Sequence, residues 1–185
     1  MGFDLSGMNP NMTRPEPELP PFTERTDADW KKYSEWQDDN CGVYFRNNVW
    51  WWRPLWHFVT ATCDNILTEK DMESGSYNDG HKISKTKAGR IAKRLHSMIE
   101  DGRVKEYENK YREDLASLEQ VDCDLCETTG RRKKPPESGA GDYMECNGCN
   151  GTGKTDDWAK SYPFSEKNVR RFANFCLNSG GFEIC

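Results

Sequence analysis

The window from Tyr44 to Val59, YFRNNVWWWRPLWHFV, decides where a core can form. It holds four of the seven tryptophans, with Tyr44, Phe45, Leu55 and Phe58 beside them. Each large aromatic side chain buries ~150–250 Å², and no comparable window offers as much apolar area in a chain that is only 35% hydrophobic. Proline suits the first turn of a helix and disrupts its interior. Pro54 therefore predicts an extended run from Phe45 to Trp52 and a helix from Pro54 to about Cys63. Leu55, Phe58, Val59 and Thr62 would share one face of that helix.

Three further helices follow from caps and stripes. Thr26 or Asp27 caps a helix running to about Asp38, whose aromatic side, Trp30, Tyr33 and Trp36, is expected to pack on the tryptophan window. Ser84 caps a helix from Lys85 to about Asp101 with Ala88, Ile91, Ala92, Leu95, Met98 and Ile99 at spacings of three and four. Gly102 separates it from a helix over Val104 to Gln120, and the two are expected to form an antiparallel hairpin. Ser165 caps the last helix, which buries Val169, Phe172, Ala173 and Cys176 and stops at Gly180 and Gly181. Short strands are expected at Val43 to Phe45, His81 to Ile83 and Phe182 to Cys185. The proline-rich start has two readings, a mobile tail or a short strand on alternating Phe3 and Leu5.

The sharpest chemical signal is a pair of CxxC turns, Cys123 with Cys126 and Cys146 with Cys149. Each such turn points two thiolates at one metal, and two turns complete the tetrahedron of a closed structural zinc site. Arg131, Arg132, Lys133 and Lys134 open the segment between the turns and predict an exposed basic loop, either simply mobile or a contact for phosphate or an acidic surface. The fold class expected is α+β, mainly helical: an aromatic-cored domain with a few short strands and an inserted four-cysteine zinc knuckle. Residues 1–25 form the extended tail, 26–121 with 158–185 the main domain, and 122–157 the insert.

Composition narrows function less than fold. A net charge of −5 excludes a bulk nucleic-acid binder, so any such contact must be local. Ten Lys or Arg against four Asp or Glu between Lys82 and Arg112 mark one local excess, and Lys85, Lys87, Arg90, Lys93 and Arg94 are its candidate contacts. An ordinary solvated helix face is the competing reading. Arg46, Asn47, Asn48, Trp50, Arg53 and His57 are candidates for a pocket that stacks a base and holds its phosphate, against the reading that the arginines pair with acids. Apolar runs are too short to span a bilayer and no signal-peptide pattern is present, which predicts a cytoplasmic protein with reduced cysteines. The three histidines are scattered, and neither a phosphate loop nor a nucleophile set is recognisable.

Two resemblances bear on these expectations. Cys146 to Gly153, CNGCNGTG, resembles the CxxCxGxG repeat of the DnaJ-type cysteine-rich zinc domain, and Cys123 to Gly130 is a looser copy with Gly130 alone. The likeness spans two repeats where that family has four, and no His-Pro-Asp tripeptide occurs, so it implies a zinc fold and not chaperone activity. The segments MGFDLSGMNP, YFRNNVWWWRPLW and PFSEKNVRRFANFCLNSGGFEIC together look like a group of short proteins encoded by tailed phages and prophages. That resemblance implies an accessory role, including interference with host defence, in the cytoplasm of a bacterial host. The function expected is thus a zinc-containing binding protein whose partner is a host or phage protein or a nucleic acid. The alternatives are a nucleotide-sequestering protein using the Trp and Arg pocket, or a nucleotide hydrolase.

Overall fold

The computed structural model describes residues 2–133 and 143–185. Lys134 and the rest of the expected basic loop lie outside the described residues. The fold is α+β and mainly helical, and the chain divides into two compact units, residues 1–110 with 163–185, and residues 111–162.

The larger unit is built on a four-stranded antiparallel sheet. β1 (Gly2–Gly7) is flanked by β2 (Tyr44–Asn48) and β8 (Gly181–Ile184), and β3 (His81–Ser84) pairs with the other edge of β8. The N-terminus is therefore an inner strand and not a mobile tail. Its register sets Leu5 between Phe45 and Ile184 and Phe3 opposite Asn47. Because side chains alternate along a strand, these residues share the buried face with Ile83 and Phe182, which pair across β3 and β8. The opposite face carries charge, with Arg46 on Asp4 at 3.5 Å and Lys82 on Glu183 at 3.6 Å. One solvated face and one buried face is the usual state of an antiparallel sheet.

Helices cover the apolar face. α2 (Val49–Thr62), α4 (Lys85–Glu100) and α6 (Glu166–Asn178) pack over the strands, and the densest helix pair is α4 with α6. The tryptophan window supplies the centre as its composition requires. Trp52 stacks on Phe3 at 5.2 Å and on Trp56 at 5.3 Å, and meets Phe172 edge-on at 5.8 Å. Phe45 continues the cluster to Phe172 and Phe175.

Three expectations need correction. α2 begins at Val49, so Trp50 to Trp52 are helical and Pro54 lies inside the helix. Asn48 starts it by accepting the Trp51 N–H at 3.1 Å, and burial of Trp52, Leu55, Trp56 and Val59 on its inner face outweighs the local cost of the proline. α1 (Asp27–Asp39) has the Thr26 capping box with Asp29 but turns its aromatic side to the N-terminal segment, not to the tryptophan window. Trp36 Nε1 donates to the Arg14 carbonyl at 3.1 Å, the Thr13 N–H donates to Asn40 Oδ1 at 2.7 Å, and Arg14 pairs with Asp39. α5 (Arg103–Ser117) does not form the expected hairpin with α4; the helix packed on α4 is α6. Phe164, just before α6, joins a ring cluster with Phe58 at 5.2 Å and Tyr107 at 4.8 Å.

Between α2 and β3 runs α3 (Glu69–Ser74), tied to the core through indoles. Trp52 Nε1 donates to the Gly75 carbonyl at 2.8 Å and Trp56 Nε1 to the Met72 carbonyl at 2.9 Å. The smaller unit holds the end of α5, then β4 (Val121–Asp122), β5 (Arg131–Lys133), β6 (Tyr143–Glu145), β7 (Lys154–Thr155) and a 3₁₀ turn over Trp158–Ser161.

Candidate metal centre

β4 pairs with β7 and β5 with β6, which brings the two CxxC turns together at the ends of two short ladders. The arrangement repeats itself across a pseudo-twofold. The Cys123 N–H donates to the Gly153 carbonyl at 2.9 Å and the Cys146 N–H to the Gly130 carbonyl at 2.8 Å. Thr129 Oγ1 donates to the Cys126 carbonyl at 2.6 Å, as Thr152 Oγ1 does to the Cys149 carbonyl at 2.7 Å. Each turn ends on a glycine with positive φ, Gly130 at 70° and Gly153 at 76°. A Cβ at either would fall on backbone of the other turn, 2.2 Å from the Gly151 oxygen or 2.3 Å from the Thr128 oxygen. Glycine is thus required at both places by conformation and by room.

The four thiols are buried and their Sγ atoms lie within 4.8 Å of one another. Cys123 and Cys146 approach to 3.9 Å, and Cys126 and Cys149 to 3.6 Å. A tetrahedral ion with metal–sulfur bonds of ~2.3 Å has sulfur–sulfur edges of about 3.8 Å, so the cluster has the dimensions of a thiolate metal site. A disulfide is excluded by the same distances, since its sulfurs would be ~2.05 Å apart. Backbone donors already face the sulfurs. The Gly153 N–H donates to Cys149 Sγ at 3.2 Å, and the Gly130 N–H plays the same part at Cys126. Burial raises the Cys149 thiol, but the Gly153 N–H and the neighbouring thiols outweigh it and bring it down to about 7. Burial first, and then the other three thiols, push the Cys126 thiol up to about 12. A metal that takes up all four sulfurs as thiolates removes this division, and its closed coordination leaves no position for a reacting water.

The other residues singled out in the sequence do not converge. Asn47 is buried, whereas Arg46 and Asn48 point to the opposite face of β2, and Arg46 engages Asp4. Arg53 and His57 are exposed on α2 and line a separate cleft of about 470 Å³ with Trp52, Trp56 and Tyr77. Trp50 is half-buried and does not line that cleft. The six are thus divided between the two faces of β2 and the outer side of α2. On α4, Lys87 is bound to the buried carboxylate of Asp71, Arg90 reaches the Asn65 carbonyl at 3.3 Å, and Arg94 reaches the Thr62 carbonyl at 3.4 Å. Arg90, Lys93, Arg94 and Arg103 still border a shallow cleft, while Lys85 is exposed at the start of α4. Arg131, Arg132 and Lys133 are β5 itself, and Arg132 donates to Asn147 Oδ1 at 2.6 Å.

Two clusters escaped the sequence reading. Asp71 gathers His81 at 2.9 Å, Lys87, and the Thr68 N–H and hydroxyl; the Thr68-x-x-Asp71 capping box was the available signal. Glu108 is buried in α5, where Lys105 donates to it at 2.9 Å and the Glu166 N–H at 3.4 Å; nothing local marks it. Among the described residues no helix is long and apolar enough to cross a membrane. Comparison of the chain with protein-family models, with curated proteins and with solved structures finds no match.

Proposed function

We propose that the chain is a zinc-containing binding protein whose smaller unit, held by one zinc at Cys123, Cys126, Cys146 and Cys149, docks on a partner protein. One observation carries this reading. The buried cluster of that unit is the four cysteines, while Leu125, Tyr143 and Trp158 are each more than half exposed. The metal thus does the work of a core, and apolar area remains for a contact surface. Charge favours protein over nucleic acid, since residues 111–162 hold eleven Asp or Glu against seven Lys or Arg. An accessory role of the kind carried by phage and prophage proteins, including interference with host defence, is consistent with a small binder.

The test joins native mass spectrometry to affinity capture from a bacterial host. The expected result is one zinc per chain and a bound protein that survives nuclease treatment and is lost from a Leu125→Ala/Tyr143→Ala variant that still carries its zinc. Retention by that variant, or loss on nuclease treatment, overturns the reading.

A further inference from the structure

The first turn of α6 borders a cleft of about 260 Å³ in the larger unit, lined by Asn47, Trp51, Ser165, Lys167, Asn168 and Arg171. Its inner members are Asn47 and Asn168, each 7% exposed, and its outer members are the exposed Lys167 and Arg171. Asn47 shares the buried side of the edge strand β2 with Phe45. Among the described residues, its Nδ2 is the one buried side-chain nitrogen or oxygen without a hydrogen-bond partner. An unmet buried donor costs about 1–3 kcal/mol, and in a native fold it marks a site for an ion, a water or a ligand. An inward NH₂ group is satisfied only by an acceptor.

The charges around it agree. Neither Lys167 nor Arg171 has a carboxylate within ion-pair distance among the described residues, and Arg171 instead lies over the Phe45 ring at 5.5 Å. The carboxylates near this end of α6 are already engaged: Glu166 holds Arg170 at 2.7 Å, and Glu108 holds Lys105 at 2.9 Å and the Glu166 N–H. Two uncompensated cations, Lys167 in the first turn and Arg171 in the second, therefore stand on the N-terminal half of a thirteen-residue helix, whose dipole favours an anion at its first turn. The Trp51 ring supplies a flat apolar wall beside them.

We propose that this cleft binds a small phosphomonoester carrying a planar ring, of the class of nucleoside monophosphates. The phosphate is held by Lys167 and Arg171 over the Asn47 side chain, and the ring rests on Trp51. Phosphate suits two cations and a helix N-terminus better than a monoanionic carboxylate does. The volume lies just under the ~300–1,000 Å³ of ordinary ligand clefts, the scale of a mononucleotide. This inference is independent of the zinc-held unit, because every residue in it belongs to residues 1–110 and 163–185.

The full zinc-loaded chain, labelled with ¹⁵N, is titrated separately with adenosine monophosphate, inorganic phosphate and adenosine. Adenosine monophosphate is expected to shift the Asn47 side-chain NH₂, the Trp51 indole and the Lys167 and Asn168 amides, with inorganic phosphate weaker and adenosine silent. A Lys167→Ala/Arg171→Gln variant, altered only at exposed positions, is expected to weaken binding at least tenfold while its remaining spectrum stays folded. No shifts at millimolar adenosine monophosphate, or unchanged affinity in the double variant, overturns the proposal. Equal affinity for inorganic phosphate and the nucleotide overturns the part assigned to Trp51.

Discussion

Thr128 and Gly151 hold equivalent places in the two cysteine turns, and both lie in the left-handed region, at φ 67° and 76°. Only one of them is suited to it. A β-branched residue there is strained by ~1–2 kcal/mol, whereas glycine is not. Thr128→Gly is therefore expected to tighten metal binding, by about 1 kcal/mol or roughly fivefold once glycine's greater loss of chain entropy is set against the relieved strain. Gly151→Thr should do the reverse. Competition with a chromophoric chelator reads both, and an unchanged affinity in Thr128→Gly would show that the turn relaxes when the metal binds.

Loss of a single thiolate should separate the two units. Cys146→Ser removes one corner of the tetrahedron, and in a unit whose buried cluster is the cysteines nothing apolar replaces it. The Trp52, Trp56 and Phe172 stack lies wholly in the other unit. The expected outcome is loss of zinc and of amide protection over residues 121–133 and 143–155, with near-ultraviolet dichroism of the tryptophan core retained. Simultaneous loss of both signals would show that the larger unit also depends on the metal.

What the sequence made legible was local. Caps at Thr26, Ser84 and Ser165 and the α4 and α6 stripes placed three helices to within a residue or two, because a cap and a 3.6-residue period are written in adjacent residues. The paired cysteines were legible for the same reason. What failed depends on partners far along the chain. β1 becomes an inner strand only because β8, at the other terminus, pairs with it. Pro54 stays inside α2 because sheet and α6 residues bury the helix around it. The expected pocket dissolved because strand alternation sends Asn47 inward and Arg46 and Asn48 outward, although Asn47 itself remains of interest where it faces α6.

Gly75 illustrates the same non-local control. A methyl group at Gly75 would sit 2.1 Å from Trp56 Cε2 and Cζ2, and that ring cannot turn away without losing its bond to the Met72 carbonyl. Gly75→Ala is expected to destabilise the larger unit by about 2–3 kcal/mol. Gly89, in the middle of α4, meets nothing within 4 Å of an added Cβ, so Gly89→Ala should stabilise by ~0.5–1 kcal/mol through helix propensity. Urea unfolding followed by tryptophan fluorescence distinguishes the two signs. Equal effects would mean that chain entropy, and not the Trp56 contact, governs Gly75.

Asp71 sets the acid limit of the larger unit. It is 4% exposed, with His81 Nε2 at 2.9 Å, Lys87 on its second oxygen, and the Thr68 N–H at 2.8 Å. Burial alone would raise its pKa, but Lys87, Thr68 and His81 together hold it well below the usual carboxylate range. Between that depressed value and the 3.8 of an ordinary aspartate, the unfolded chain binds more protons than the native one. Stability therefore rises with pH through this window, is fully present above it, and is lost as pH falls toward the native value. Asp71→Asn leaves Lys87 without its counterion and should cost roughly 3 kcal/mol at neutral pH. Its urea midpoint should then fall less between about pH 5 and pH 3 than that of the wild type, because the group that titrates is gone. Parallel pH profiles for the two proteins would place the acid sensitivity on other carboxylates and leave Asp71 with its capping role at α3.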